Sequence, residues 1–125
     1  MDETKQLIVV VEDDAGVRLA LQRLLRASGF RTLSFESAEA LVTAAGASNA
    51  SCLVLDVQLP ATSGPMLYAQ LGRHRPPAVF ITAHDGPATR SEVANAGGKE
   101  LLIKPFIARD LLDAIARAMC AAKRP

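Results

Sequence analysis

Five short apolar or β-branched runs, separated by segments with helical spacing, constrain this chain more than any other feature. They are Leu7 to Val11, Arg31 to Phe35, Leu53 to Leu55, Ala78 to Ala83 and Leu101 to Ile103. Each is too short for a lone helix and suits a strand. The first and third hold no polar residue and suit strands buried on both faces. Arg31 to Phe35 is half-polar and belongs nearer a sheet edge, while Ala78 to Ala83 should be buried but for Thr82 near its end. Strand and helix alternating in this way imply right-handed crossovers, a parallel sheet and helices on both faces.

The helical segments carry their own punctuation. Val17, Ala20, Leu21, Leu24 and Leu25 fall on one face and Arg18, Gln22 and Arg26 on the other, with Gly29 as the stop. Ser37 can cap a second helix, with Leu41, Val42 and Ala45 inward and Gly46 as its stop. Pro65 fits the first position of a third helix, whose apolar edge is Leu67 and Leu71. Segment 87–97 is the thinnest, with Val93 as its one large apolar side chain and Gly97-Gly98 closing it, so loose packing is expected. The last helix places Leu111, Leu112, Ile115 and Met119 on one face, and Arg109, Asp113 and Arg117 off it.

At 125 residues the chain is expected to be one domain, 1–125. No run approaches the ~20 apolar residues that cross a membrane, and the Met-Asp-Glu-Thr-Lys start lacks a signal-peptide pattern. A net charge of +1 suggests neither a polyanion nor a membrane surface as partner. Cys52 and Cys120 have no metal-site spacing and favour a reducing, cytoplasmic setting. Met1 to Gln6 reads as a polar lead, and Ala-Ala-Lys-Arg-Pro at 121–125 could open a linker.

In a parallel sheet the carboxyl ends of the first, third, fourth and fifth strands share one rim, where open α/β sheets bind ligands. They carry Glu12, Asp13 and Asp14, then Asp56, Thr82 and Lys104. Each has an ordinary explanation: Asp14 caps a helix, Asp56 caps a turn, Thr82 is a β-branched strand former and Lys104 snorkels at an edge. Three consecutive acids repel one another, however, and one cap would suffice. A cation seeking oxygen ligands explains them better.

At this point the chain resembles the receiver domains of two-component response regulators. The resemblance covers nearly the whole chain and rests on Val-Val-Glu-Asp-Asp (10–14), Leu-Asp-Val-Gln-Leu-Pro with Ser-Gly (55–60, 63–64), Ile-Thr-Ala-His (81–84) and Lys-Pro-Phe (104–106). The wording from Asp56 to Gly64 and the Thr-Ala-His loop are most similar to receivers that precede LuxR-type helix-turn-helix domains. It implies a single flavodoxin-like, doubly wound α/β domain with strand order 2-1-3-4-5 and five helices. It also implies that Asp56 accepts a phosphoryl group from a sensor histidine kinase or phosphotransfer protein, in a phosphoacceptor domain rather than an enzyme, with self-phosphorylation and self-dephosphorylation expected. Asp13 and Asp56 would bind Mg²⁺ (or Mn²⁺) directly, Glu12 through water, and Gln58 through its backbone carbonyl. Thr82 and Lys104 would each hold a phosphoryl oxygen.

Gln58, Ala83 and His84 would modulate phosphate lifetime, His84 by shielding or positioning the attacking water, and Pro105 is a cis-peptide candidate. A homodimer would use the face of the fourth helix, fifth strand and fifth helix, or that of the first and fifth helices. No direct nucleic-acid binding is implied except through an output domain. One residue departs from the pattern: the family usually carries Tyr, Phe or His three residues before the Lys-Pro lysine, and here that position is Leu101. Leucine can pack inward but cannot swing a ring between surface and core. Two other classes remain open: a phosphate-independent pseudo-receiver acting as an interaction module, and a phosphatase with an aspartyl-phosphate intermediate. The latter typically offers a second Asp where this chain has Gln58.

Overall fold

The computed structural model describes residues 5–122. The expected strands are Leu7–Val11 (β1), Arg31–Phe35 (β2), Cys52–Asp56 (β3), Ala78–Thr82 (β4) and Glu100–Ile103 (β5). They alternate with helices Ala15–Ala27 (α1), Ala38–Thr43 (α2), Gly64–Gln70 (α3), Pro87–Asn95 (α4) and Ala108–Ala122 (α5). All the strand pairings are parallel, in the order β2-β1-β3-β4-β5 expected from the sequence. Residues 1–4 of the expected polar lead and 123–125 of the expected linker lie outside the described residues.

Side chains alternate across the pleat, so each central strand feeds two cores. Val9, Val11, Leu53, Leu55 and Phe80 pack on one face against Leu41 of α2, Leu67 and Tyr68 of α3, and Val93 of α4. Ile8, Val10, Val54, Val79 and Ile81 pack on the other against Leu21 and Leu25 of α1, and Leu111 and Ile115 of α5. Burying one such side chain fully stabilises the fold by about 1.5–3 kcal/mol, which is why β1 is apolar throughout and β3 and β4 are apolar up to their last residues, Asp56 and Thr82. Register then fixes the rim: Asp56 lies opposite Ile81, and Thr82 opposite Ile103, so Thr82 and Lys104 follow one step beyond.

Local signals set the helix starts. Asp14 caps α1 by accepting from the Val17 N–H at 2.9 Å, and Ser37 caps α2 through the Ala40 N–H at 3.0 Å. Ser63 caps α3 through the Met66 N–H, with Pro65 in its first turn. Gly64 serves a close approach. A Cβ there would collide with the Asp56 carbonyl oxygen, while its N–H donates to the Val57 carbonyl at 3.1 Å.

Several expected placements change in three dimensions. Val42 is 54% exposed and Ala45 is also exposed, because α2 stops at Thr43 and Ala45 turns left-handed at φ 51°. Ala20 faces solvent at the margin of the α1 stripe. Thr82, expected to be uncovered, is fully buried, its hydroxyl drawn inward by the hydrogen bonds described below. On α5, Leu112 and Met119 are only half-buried, whereas the small Ala114 and Ala118 are buried and complete the face. Leu101 is half-buried and packs against the α2-α3-α4 core. Val93 is the one buried residue of α4, as its thin pattern implied. The Lys104–Pro105 bond is cis.

The two cysteines sit in opposite environments. Burial pushes the Cys52 thiol up to about 12, while Cys120 is exposed on α5. Iodoacetamide at neutral pH should therefore label the native chain once, at Cys120, with Cys52 reacting only on unfolding. Intact mass before and after denaturant checks this; rapid native labelling of Cys52 would contradict the buried sheet centre.

Candidate functional site

The site grows from the ends of four strands. β1 leaves the sheet at Val11, and the Glu12 N–H still pairs with the Phe35 carbonyl at 3.1 Å, which turns the Glu12 side chain into the protein. Its carboxylate is buried: Oε1 accepts from Lys104 Nζ at 2.9 Å and Oε2 from the Asp14 N–H at 3.1 Å. Asp13 is exposed at the same rim, with a carboxylate oxygen close to those of Glu12 and Asp56. Asp56, at the end of β3, is 3% exposed; its Oδ1 accepts from the Gln58 N–H at 3.0 Å and its Oδ2 from Lys104 Nζ at 3.1 Å. Lys104 is held there because its own N–H donates to the Thr82 carbonyl at 2.7 Å.

One ammonium thus bridges two buried carboxylates. Burial pushes the Glu12 pKa up, and although the Lys104 hydrogen bond pulls the other way, the acid stays above its ordinary range. Burial also works against the Lys104 ammonium, but its bonds to Glu12 and Asp56 prevail and hold its pKa above the usual lysine value. Carboxylate oxygens of Glu12, Asp13 and Asp56 lie within 4.8 Å of one another. Three acidic oxygen donors at that spacing could hold a hard divalent cation, which would relieve the repulsion that one lysine only partly cancels.

Thr82 stands apart from Asp56 in its hydrogen bonding. Its hydroxyl lies 2.9 Å from Gln58 Oε1 and 3.1 Å from the His84 carbonyl, and accepts from the His84 N–H at 3.0 Å. Glu12, Asp13, Asp56 and Lys104 are therefore drawn together, while Thr82 is turned toward the loop. Ala83 and the His84 side chain are exposed on that loop. Leu101 is half-buried and packs against the core rather than standing at the rim.

Two contributors escaped the sequence reading. Arg18, assigned to the outer face of α1, reaches back so that Nη1 donates to the Glu12 carbonyl at 2.8 Å. Helical side chains lean toward the N-terminus, so an arginine one turn past an acidic strand end was the available signal. The other is a contact of Gln58: the residue was expected to modulate phosphate lifetime, but the bond between its side chain and Thr82 was not foreseen. Nothing local to Gln58 announces a bond to a residue 24 positions away.

A family model described as response regulator receiver domain matches residues 8–116. Nodulation protein W of Bradyrhizobium diazoefficiens is 37% identical over 117 residues, spanning 92% of this chain and 52% of that protein. Response regulator protein TmoT of Ectopseudomonas mendocina is 35% identical over 122 residues, spanning 95% and 55%. The solved structure of response regulator StyR superposes with a TM-score of 0.82 at 37% identity, covering 94% of this chain and 61% of that one. The chain spans about half the length of these curated relatives.

The Glu12 shift has a signed consequence. The folded chain binds this proton more tightly than the unfolded chain, so the group's contribution to stability falls as pH rises above about 4.3 and through the folded-state value. Lys104 acts in a separate window: its contribution is present below the ordinary lysine value and is lost as pH climbs through its raised one. In chelator, the thermal midpoint of the parent should fall relative to Glu12→Gln as pH rises from the ordinary glutamate value of about 4.3 toward the raised folded-state value. Midpoints that run parallel across that range would contradict the assigned burial.

Proposed function

Because this chain belongs to the response regulator receiver domain family of two-component signalling, we propose that Asp56 accepts a phosphoryl group from a phosphohistidine on a sensor kinase or phosphotransfer partner. Support comes above all from the setting of Asp56: a nearly buried carboxylate at the end of the central strand, held by the Gln58 N–H and the Lys104 ammonium. Those bonds fix the carboxylate in one orientation at the rim, the positioning an attacking group needs. An Asp56 oxygen attacks phosphorus as the bond from phosphorus to the partner's imidazole nitrogen breaks, and the imidazole leaves with that electron pair. Lys104 then follows the charge from carboxylate to phosphoryl oxygen, a role suited to a compact ammonium on a flexible stem.

The donor set fits Mg²⁺ (or Mn²⁺). Asp13 and Asp56 would hold the ion directly, with the Gln58 carbonyl. Glu12 would act through water, since both its oxygens already take protein donors. When bound, the ion supplies the positive charge that phosphoryl transfer places against its equatorial oxygens. Thr82 would donate to another phosphoryl oxygen after leaving its present partner. The relatives run to about twice this length, and several carry names of response or transcriptional regulators. The output is accordingly proposed to be a DNA-binding domain, working in the cytoplasm and assembled through the α4-β5-α5 or α1-α5 face.

Incubation with Mg²⁺ and acetyl phosphate should give one phosphate adduct by intact mass, and Asp56→Asn should abolish it. An adduct surviving that substitution overturns the assignment. For the ion, Asp13→Asn should weaken Mg²⁺ binding by at least the ~10-fold typical of lost metal-site partners. Asp14→Asn, which alters a helix cap, should leave it within about twofold. Titration of both variants decides; equal losses would mean the pair of ligands is misassigned.

A further inference from the structure

The Gln58 residue touches the site through both of its ends. Its backbone N–H donates to Asp56 Oδ1 at 3.0 Å, and its side-chain Oε1 lies 2.9 Å from the Thr82 hydroxyl. We propose that the Gln58 side chain is a latch that holds the Thr82 hydroxyl in a waiting position, so that Gln58 sets how readily the site accepts a phosphoryl group. The proposal rests on the reading of Asp56 as phosphoacceptor and of Thr82 as donor to the phosphate.

The hydrogen-bonding capacity of a threonine is small. Its hydroxyl has one proton to give and lone pairs to accept with. A lone pair already takes the His84 N–H at 3.0 Å, and the proton has Gln58 Oε1 at 2.9 Å as its nearer acceptor, against 3.1 Å for the His84 carbonyl. A proton given to Gln58 is not available to a phosphoryl oxygen. The two states of Thr82 therefore exclude each other.

The backbone cannot resolve the conflict, because Thr82 closes β4 and its carbonyl accepts the Lys104 N–H at 2.7 Å. Movement is confined to χ1, which in a β-branched residue has few, discrete positions. Thr82 is fully buried, so water cannot easily stand in for the lost acceptor. Gln58 is exposed, so its amide can be rehydrated at little cost once released. These unequal settings make Gln58 the side that lets go.

Gln58 also registers phosphorylation at its other end. A phosphoryl group on Asp56 removes charge from the carboxylate that the Gln58 N–H now serves. The anchor of the latch weakens in the same step that creates a competing acceptor for Thr82. Release and capture are thus coupled through one residue, without any part for an aromatic ring at Leu101. The acceptor itself is what counts: an isosteric apolar side chain at position 58 offers none.

The test uses the full chain at saturating Mg²⁺, with beryllofluoride as the probe for the phosphoryl group. A latch of one neutral hydrogen bond corresponds to a change of about two- to tenfold. Gln58→Leu should tighten beryllofluoride binding by that factor, and Gln58→Glu, which keeps an acceptor and adds charge, should weaken it. With Thr82→Ala present, Gln58→Leu should change affinity by less than about twofold, since the interaction it removes is already gone. A readout independent of phosphate chemistry is the His84 amide: without probe, its hydrogen exchange should quicken in Gln58→Leu, because a released hydroxyl no longer stays to accept it. An equal effect of Gln58→Leu with and without the Thr82 hydroxyl, or unchanged His84 exchange, overturns the latch. Absence of beryllofluoride binding and of phosphate uptake by the parent overturns the phosphoacceptor reading, and the latch with it, whereas a flat double-mutant cycle in a parent that binds overturns the latch alone.

Discussion

The rim of this protein depends on one ammonium group. Lys104 Nζ sits 2.9 Å from Glu12 and 3.1 Å from Asp56, with the two acidic side chains 1% and 4% exposed. An isolated carboxylate buried to that degree would cost several kcal/mol, and two side by side would cost more. The lysine offsets part of this and leaves a net negative charge, to which exposed Asp13 adds. The balance is unfinished by design of the residues themselves: enough positive charge to fold, too little to neutralise the pocket. That shortfall of positive charge is what a divalent cation would fill.

The sheet delivers these groups to one place. The Lys104–Glu12 contact joins residues 92 apart in sequence, and only parallel strands in fixed register bring such positions together without a long search by flexible loops. Gly64 contributes by letting the start of α3 lie against the Asp56 backbone, where any side chain would push the strand end away. Arg18 ties the β1 end to α1 from the other side. Asp56 is therefore set on rigid elements, as the proposed phosphoryl transfer would require of it.

The opposite property holds on the α4 side. Val93 is its single buried anchor, Leu101 is half-buried where an aromatic is usual in the family, and Thr82 is bonded into the β4-α4 loop through His84. Few buried contacts mean a low cost of local rearrangement. A rigid carboxylate beside a weakly anchored helix suits the proposed conversion of a local charge into a movement, which would run through Thr82, Gln58 and backbone rather than through a ring.

What the amino-acid sequence determined by itself is the order of strands and helices, the caps at Asp14 and Ser37, and the set of rim residues. Those features are local: apolar runs, 3.6-residue spacing and capping side chains act within a few positions of themselves. Strand order followed from the family resemblance, and membership rests on ordered motifs, which are also read along the chain. Tertiary structure alone decided the rest. It turned Val42 and Ala45 outward by ending α2 early, enlisted Ala114 and Ala118 where larger neighbours looked the better core, and buried Thr82. It also paired Gln58 with Thr82 and Lys104 with two acids. Such choices depend on which atoms another segment places opposite, and a side chain's own sequence neighbourhood holds no record of that.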